Sequence, residues 1–281
     1  ILNPDGIRVH PAREVIEMGD EPGRAVRTKK DSSIVRAAEC VRDGQASAMV
    51  SAGNTGAVAA AALLRMKRLK GVRRPAIATT IPVPGRAPKI LLDSGAMADC
   101  QSDWLHQFAR MGSAFAQVRY EVSSPRIGLV SIGEEPEKGN QLVKETHHLL
   151  ADDKTINFVG NVEGRDVLGD DVDVLVADGF TGNVILKTLE GTVQFLVNQI
   201  ISALTADDAA EVGAQALTYL APIAAELSPD AVGGAMLLGV NGVTIISHGS
   251  ASPTAVLNAC KVAQDMVQRD LVGELAAAVN L

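Results

Sequence analysis

Five short loops rich in Ser, Thr, Asn, Asp, His and Gly hold most of the chemistry this chain can offer. They read Ser51-Ala52-Gly53-Asn54-Thr55-Gly56-Ala57, Asp93-Ser94-Gly95-Ala96, Ser131-Ile132-Gly133-Glu134-Glu135, Asp178-Gly179-Phe180-Thr181-Gly182-Asn183 and Ser247-His248-Gly249-Ser250. Two of them echo each other, Gly53-Asn54-Thr55-Gly56-Ala57-Val58 against Gly179-Phe180-Thr181-Gly182-Asn183-Val184. A Gly-x-Thr-Gly turn opening a helix suits an anion, because glycine admits close approach while unpaired N–H groups and the helix dipole face negative charge. Ser51, Gly53, Asn54, Thr55 and Gly56 form one such candidate cradle, and Gly179, Thr181, Gly182 and Asn183 the other. Either loop alone also reads as a helix cap beside a tight turn. Asp178 and His248 are the candidate proton carriers, and Asp93 opens the 93–96 loop with a carboxylate.

Familiar catalytic devices are missing. No GxGxxG follows a strand, which removes the main support for a dinucleotide-binding dehydrogenase. Gly182 to Thr188 ends in Lys187-Thr188 but carries Leu186 where a P-loop needs glycine, so Lys187 reads as a helical residue. No GxSxG elbow occurs, and Cys40, Cys100 and Cys260 stand in no nucleophile context and at no metal-ligand spacing. His147 and His148 are neighbours on a helix and point apart, so no metal pair is expected; His10 and His106 carry no signal. What remains is anion-cradling loops, a carboxylate, a histidine and no nucleophile. That set suits transfer to a phosphate that is itself the nucleophile: the site holds it, aligns it and stabilises the oxyanion formed at an attacked carbonyl.

These loops need a scaffold. Short apolar runs at 48–51, 76–81, 90–93, 127–132, 156–159, 172–177 and 243–247 alternate with helical patterns at 55–69, 103–118, 139–150, 182–203 and 253–279. Such alternation predicts an α/β fold with a mostly parallel sheet, helices on its faces, and the five loops together along one edge. Residues 205–231 are Ala-rich, with Pro222 and Pro229 as breaks, and read as a helical excursion within a single domain spanning 1–281. The chain has 281 residues, 47% hydrophobic and 21% charged, which excludes disorder and coiled coil. No apolar run reaches the length of a membrane span, and a reducing, cytoplasmic setting is expected. The turn Asn3-Pro4-Asp5-Gly6 follows Ile1 with no strand before it, so a missing N-terminal segment is expected.

Net charge is −7, unevenly placed: residues 1–74 hold 14 Lys/Arg against 8 Asp/Glu, the remainder 12 against 25. Arg24, Arg27, Lys29, Lys30 and Arg36 form one basic cluster, and Arg65, Lys67, Arg68, Lys70, Arg73 and Arg74 another. Either could steer an acidic partner or simply be a solvated helix end. With 3% aromatic residues there is little to stack on bases, and no nucleic acid partner is expected.

The strings SAGNTGA at 51–57, RPAIATTIP at 74–82, LLDSGA at 91–96, MGSAFAQ at 111–117, SPRIGLVSIGEEPEKGN at 124–140, INFVGNVEGRD at 156–166, DGFTGNVILKTLEG at 178–191 and GGAMLLGVNGV at 233–243 resemble the bacterial phosphate acyltransferase family, as does RTKKDSS at 27–33. The resemblance covers nearly the whole chain. It implies passage of a long-chain fatty acyl group from acyl carrier protein to inorganic phosphate, giving acyl phosphate for phospholipid synthesis, with no metal or organic cofactor. It also implies a three-layer α/β/α sandwich akin to phosphotransacetylases and isocitrate dehydrogenases, a homodimer, a helical protrusion, and peripheral membrane contact in some members. Arg27 and Lys30 would then add positive charge to the substrate site, and the basic clusters would speed encounter with an acidic carrier. On the excursion, Leu217, Leu220, Ile223 and Leu227 would meet membrane, acyl chain or a second copy.

Two departures stand out. The family's opening strand with its Asp-Ala-Met-Gly-Gly-Asp motif has no counterpart, and Ser94-Gly95-Ala96-Met97 replaces a Val-Gly-Ala-Asn loop, losing an amide and offering Met97 to the acyl chain. Competing readings are a short-chain phosphotransacetylase using coenzyme A, a non-catalytic membrane-associated scaffold, and a nicotinamide dehydrogenase on the related fold.

Overall fold

A computed structural model describes residues 6–206 and 210–280; most of the Asn3–Gly6 turn lies outside them. The chain opens with α1 (Pro22–Thr28) and α2 (Ser33–Arg42), then β1 (Ala48–Ser51) leads into α3 (Thr55–Ala61), which continues as a π-helical turn over Ala62–Met66. Next come β2 (Ala76–Ile81), β3 (Lys89–Leu92), α4 (Ser102–Tyr120), β4 (Arg126–Val130), α5 (Gln141–Asp152), β5 (Asn157–Val162) and β6 (Val174–Val176). The last third comprises α6 (Gly179–Leu204), α7 (Ala210–Glu226), α8 (Pro229–Val232), β7 (Ala235–Leu238), β8 (Val243–Ile246), α9 (Pro253–Gln268) and α10 (Leu271–Val279).

Helix starts follow from local side-chain chemistry. Glu21 caps α1 ahead of Pro22, Asn140 caps α5, Ser252 caps α9 ahead of Pro253, and Asp270, in the left-handed region at φ 51°, caps α10. That left-handed residue splits the helix expected across 253–279. Pro222 lies inside α7 and does not break it, whereas Pro229 opens α8 after α7 has ended. The excursion is thus one arm of a helical hairpin whose other arm is α6.

The eight strands form one sheet in the order β1-β8-β7-β2-β3-β6-β4-β5. Four of its pairings are parallel (β1β8, β3β6, β4β6, β4β5) and three antiparallel (β7β8, β2β7, β2β3). Strand direction therefore reverses between β2 and β3. The carboxyl ends of β1, β8 and β2 lie along one edge, called upper here, and those of β3, β6, β4 and β5 along the lower. This corrects the expectation that all five loops share an edge: the loops after β1 and β8 are upper, those after β3, β4 and β6 lower. The reversal is made by the β2–β3 hairpin, antiparallel from Thr79↔Leu91 to Ile81↔Lys89. β7, antiparallel to both β8 and β2, leaves those two parallel to each other.

Each face of the sheet is covered. Ala76, Ala78, Ile90, Leu92, Val174, Val176 and Ile245 point to a core shared with α4, α9 and α10, and Leu150 of α5 joins it. On the other face Met49, Ile77, Leu237 and Ile246 pack with Val26 of α1, Ile34 of α2 and Val58 of α3. Beside them Ile81, Leu91 and Leu175 meet Ile185, Leu186 and Leu189 of α6. The result is three layers, with α1–α3 and α6 on the same face, to either side of β2.

Candidate active site

α3 starts where β1 ends, and Asn54 caps it. Asn54 Oδ1 accepts the Ala57 N–H at 3.0 Å, while Nδ2 donates to the carbonyls of Glu17, Met18 and Asp20 at 3.3, 3.0 and 3.3 Å. The side chain is buried and its polar capacity is spent on the protein. Asn54 therefore positions the loop and ties down the 17–20 segment, in place of the ligand contact expected of it. Nothing in the sequence marks those three carbonyls as part of the site. Gly53 N–H turns back to Ser51 Oγ at 3.3 Å. The N–H groups of Thr55 and Gly56, first in the helix, have no partner among the described residues, and Thr55 is exposed. Here the helix dipole, two open N–H groups and a hydroxyl face solvent together, which is what an anion needs. A Cβ on Gly56 would meet Pro22 Cγ at 2.6 Å, so this glycine serves the packing of α1.

The echoing loop is built differently. Asp178 caps α6, its carboxylate accepting the Thr181 N–H at 2.8 Å and the Thr181 hydroxyl at 2.9 Å. Gly179 N–H donates to Met97 O at 2.8 Å and Gly182 N–H to Asp178 O at 2.9 Å. A carboxylate already stands where an anion would sit on this helix. A Cβ on Gly182 would lie 2.0 Å from Asp93 O, and one on Gly179 2.6 Å from Asp93 Oδ2, so what approaches these glycines closely is the protein's own 93–97 loop. Asn183 is exposed beside Gly95.

Asp93 organises that loop. It is fully buried, and Oδ1 accepts the N–H groups of Ile77, Gly95 and Ala96 at 2.9, 3.1 and 2.9 Å, with Met97 N–H on Oδ2 at 2.6 Å. Burial pushes its carboxyl above the ordinary aspartate range, against the pull of those four donors. It is a positioning residue with no surface to offer a substrate. Ser94 extends the join, its hydroxyl 3.0 Å from Ile77 O and 2.6 Å from Thr79 Oγ1. Ala96 packs against the cluster that contains Ala57 and Val58 of α3, so this loop leans on the same core as that helix.

His248 follows β8 at the upper edge and is exposed, with Nδ1 2.6 Å from Ser250 Oγ. Asp178 follows β6 at the lower edge. Four strand spacings of about 4.8 Å separate β8 from β6, roughly 19 Å before the height of the sheet is added. The expected pairing of this carboxylate with this histidine on one edge is therefore corrected: no proton passes directly between them. Arg27 and Lys30 are exposed and make no ion pair among the described residues, while Lys29 is held by Asp20 at 2.5 Å and Arg36 by Asp31 and Glu39 at 2.9 and 3.0 Å.

Burial pushes the Cys100 thiol up to about 12, and its Sγ lies 3.4 Å from Met97 O, so it stays protonated near neutrality. Lys187 pairs with Glu190 on α6 at 2.8 Å. Glu134, Glu163 and Asp166 gather in a group, but Arg165 lies among them at 3.2, 2.5 and 3.7 Å.

Residues 3–273 match the family model described as fatty acid synthesis protein. The chain is 45% identical over 278 residues to a phosphate acyltransferase of Halothermothrix orenii, covering 98% of this chain and 83% of that one. It is 46% identical over 271 residues to a phosphate acyltransferase of Elusimicrobium minutum, covering 96% and 79%. Among solved structures, the EutD phosphotransacetylase from Staphylococcus aureus aligns with a TM-score of 0.56 over 83% of this chain and 67% of its own. A branched-chain phosphotransacylase from Enterococcus faecalis V583 does so with 0.56 over 83% and 78%. Both are 16% identical, a likeness of fold alone. On the sequence relationships, this chain belongs to the phosphate acyltransferase family.

Proposed function

We propose that this protein transfers a long-chain fatty acyl group from acyl carrier protein to inorganic phosphate, with 1–281 acting as a single α/β unit and needing no cofactor. The observation that carries the reading, beside family membership, is the first turn of α3: two N–H groups and the Thr55 hydroxyl lie open there, while the Asn54 side chain is spent on the cap and on the 17–20 carbonyls. Phosphate near neutral pH is already largely dianionic, and held there it attacks the thioester carbonyl carbon. A C–O bond forms, the C–S bond breaks, and the thiolate leaves to take up a proton. His248, exposed on the same edge as α3, is placed better than Asp178 to supply that proton. Arg27 and Lys30 add unpaired positive charge on α1 and the turn after it.

Cys100, its thiol held protonated by burial, offers no thiolate to the thioester, which favours direct attack by phosphate. The apolar flank of the α6–α7 hairpin, with Phe195, Leu196, Ile200, Val212 and Tyr219 exposed, is where this reading places a second copy of the chain. The three leucines and one isoleucine expected to make that contact divide: Ile223 is exposed, whereas Leu217, Leu220 and Leu227 are half-buried. Among the described residues no helix is long and apolar enough to cross a membrane, and any membrane contact would be peripheral, at the cytoplasmic face. Sedimentation of the protein against flotation with vesicles separates the two occupants of the hairpin. The substrate is tested by comparing palmitoyl-acyl carrier protein with acetyl-coenzyme A at fixed phosphate; preference for the second would make this a short-chain phosphotransacetylase.

A further inference from the structure

From residue 44 to residue 92 the chain contains no Asp or Glu, yet it carries Arg65, Lys67, Arg68, Lys70, Arg73, Arg74, Arg86 and Lys89. Six of these fall within ten residues, Arg65 in the π-helical turn and five on the connection from it to β2. Its apolar side chains point inward: Met66, Leu69 and Val72 are buried. Lys67, Arg68, Lys70 and Arg73 are exposed. The backbone that carries them is pinned from three other elements. Gln107 of α4 accepts the Arg73 N–H at 2.7 Å and donates to Gly71 O at 2.9 Å. Asn241 donates to Arg68 O at 2.9 Å, and Asn280, after α10, to Lys70 O at 3.4 Å. Two residues of positive φ turn the loop, Lys67 at 69° and Gly71 at 90°. The cations are thus displayed on a fixed platform, which lowers the ordering cost of binding.

We propose that this loop, Lys67 to Arg74, is the docking surface for an acidic carrier protein, a partner that rests on the acyl-transfer reading above. Its position supports this. Three residues of extended chain, about 10 Å, lead from Arg74 to Ile77, whose N–H binds Asp93 directly at 2.9 Å. Arg73 pairs with Asp103 at 3.6 Å, and Asp103 also lines an open hollow of about 530 Å³ with Cys100, Gln101 and Leu142, just beyond the 93–97 loop. The platform stands on the lower edge, whereas the open turn of α3 is on the upper, a strand length of roughly 20 Å away. A donor docked here must therefore present its thioester on a long flexible arm.

Two other anionic partners fit less well. An anionic membrane would also want apolar side chains inserted beside the charge; Leu64 alone supplies one here, and the exposed apolar flank belongs to α6 and α7. A free nucleotide-bearing thioester would want an aromatic face, and the Arg74 guanidinium already lies 4.5 Å over the Trp104 ring. The other basic cluster is interrupted by acids that pair with Lys29 and Arg36.

The test is titration of the full chain with palmitoyl-acyl carrier protein at low and high salt, using the wild type, the double variant Lys67→Glu/Lys70→Glu and the control Lys261→Glu. Both Lys67 and Lys70 are exposed and make no ion pair among the described residues, so folding is checked by the melting temperature alone. The expected result is wild-type binding that weakens steeply with salt, a double variant at least tenfold weaker, an unchanged control, and, in turnover, a raised KM for the carrier with kcat unchanged. Equal binding by wild type and double variant, salt-independent binding, or no binding by the wild type would overturn the proposal. So would a double variant that keeps the carrier but loses phosphatidylglycerol vesicles. Salt-dependent carrier binding without phosphate-dependent loss of the thioester would leave the docking surface standing and remove the acyl-transfer reading.

Discussion

At the scale of single residues, the Asp, Asn, Thr and Gly loops were legible as candidates, but which of their polar atoms stay free was not. Asn54 and Asp93 look like ligand donors in the sequence, yet both spend their polar atoms on backbone groups far away in the chain, Asn54 on Glu17 to Asp20 and Asp93 on Ile77. No spacing rule exposes a partner that far off. Gly182 makes a sharp prediction. Its Cβ would stand 2.0 Å from a backbone oxygen of Asp93, so Gly182→Ala must push α6 off the loop, at a cost of about 1–3 kcal/mol in stability and at least tenfold in turnover. A melting temperature and a rate like wild type would show that the loop and helix are not tightly joined. Cys100 makes another. With its thiol raised by burial, iodoacetamide at pH 8 should label the exposed Cys260 first and Cys100 roughly a hundredfold more slowly. Equal labelling in peptide maps would mean Cys100 is open and ionised.

At the scale of elements, periodicity located most strands and the long helices to within a few residues. It missed α1 and α2, read only as a basic cluster, and β7, whose four residues stand between glycine turns with no helix after them. The join between α4 and the turn after α5 depends on Asp153, nearly buried, which takes Arg110 Nε and His106 Nε2 on Oδ2 at 2.7 Å each, and the Thr155 hydroxyl and N–H on Oδ1. Burial alone would raise its carboxyl, but the bonds to Arg110, Thr155 and His106 outweigh it and hold the group far below the ordinary aspartate range. A depressed carboxyl contributes stability that is complete above the unfolded value near 4 and fades as pH falls below it. Asp153→Asn should therefore cost about 3 kcal/mol at pH 7, with the gap from wild type narrowing below about pH 4. Denaturant melts across that range check it; a gap constant with pH would show that the charge on Asp153 contributes nothing.

At the scale of the molecule, the α/β class and its layers were readable from alternation, and the family from motif strings, but the direction reversal between β2 and β3 was not. It is made by β2 and β3 pairing antiparallel across the 82–88 turn, a hairpin that the alternation of strand and helix patterns does not predict. The reversal separates Asp178 from His248, and that has a kinetic signature. In a double-mutant cycle, Asp178→Asn and His248→Ala should act independently, with a coupling under about 0.5 kcal/mol. A coupling of several kcal/mol would place the two groups in one proton relay and contradict the sheet order.

Phosphate as the attacking group is the claim on which the chemistry turns. Incubating the protein with palmitoyl-acyl carrier protein and hydroxylamine, with and without inorganic phosphate, tests it directly, because an acyl phosphate is captured as the hydroxamate. Hydroxamate that appears only with phosphate and saturates as phosphate is raised is the predicted result. Thioester lost at the same rate without phosphate, or no thioester lost at all, would contradict it.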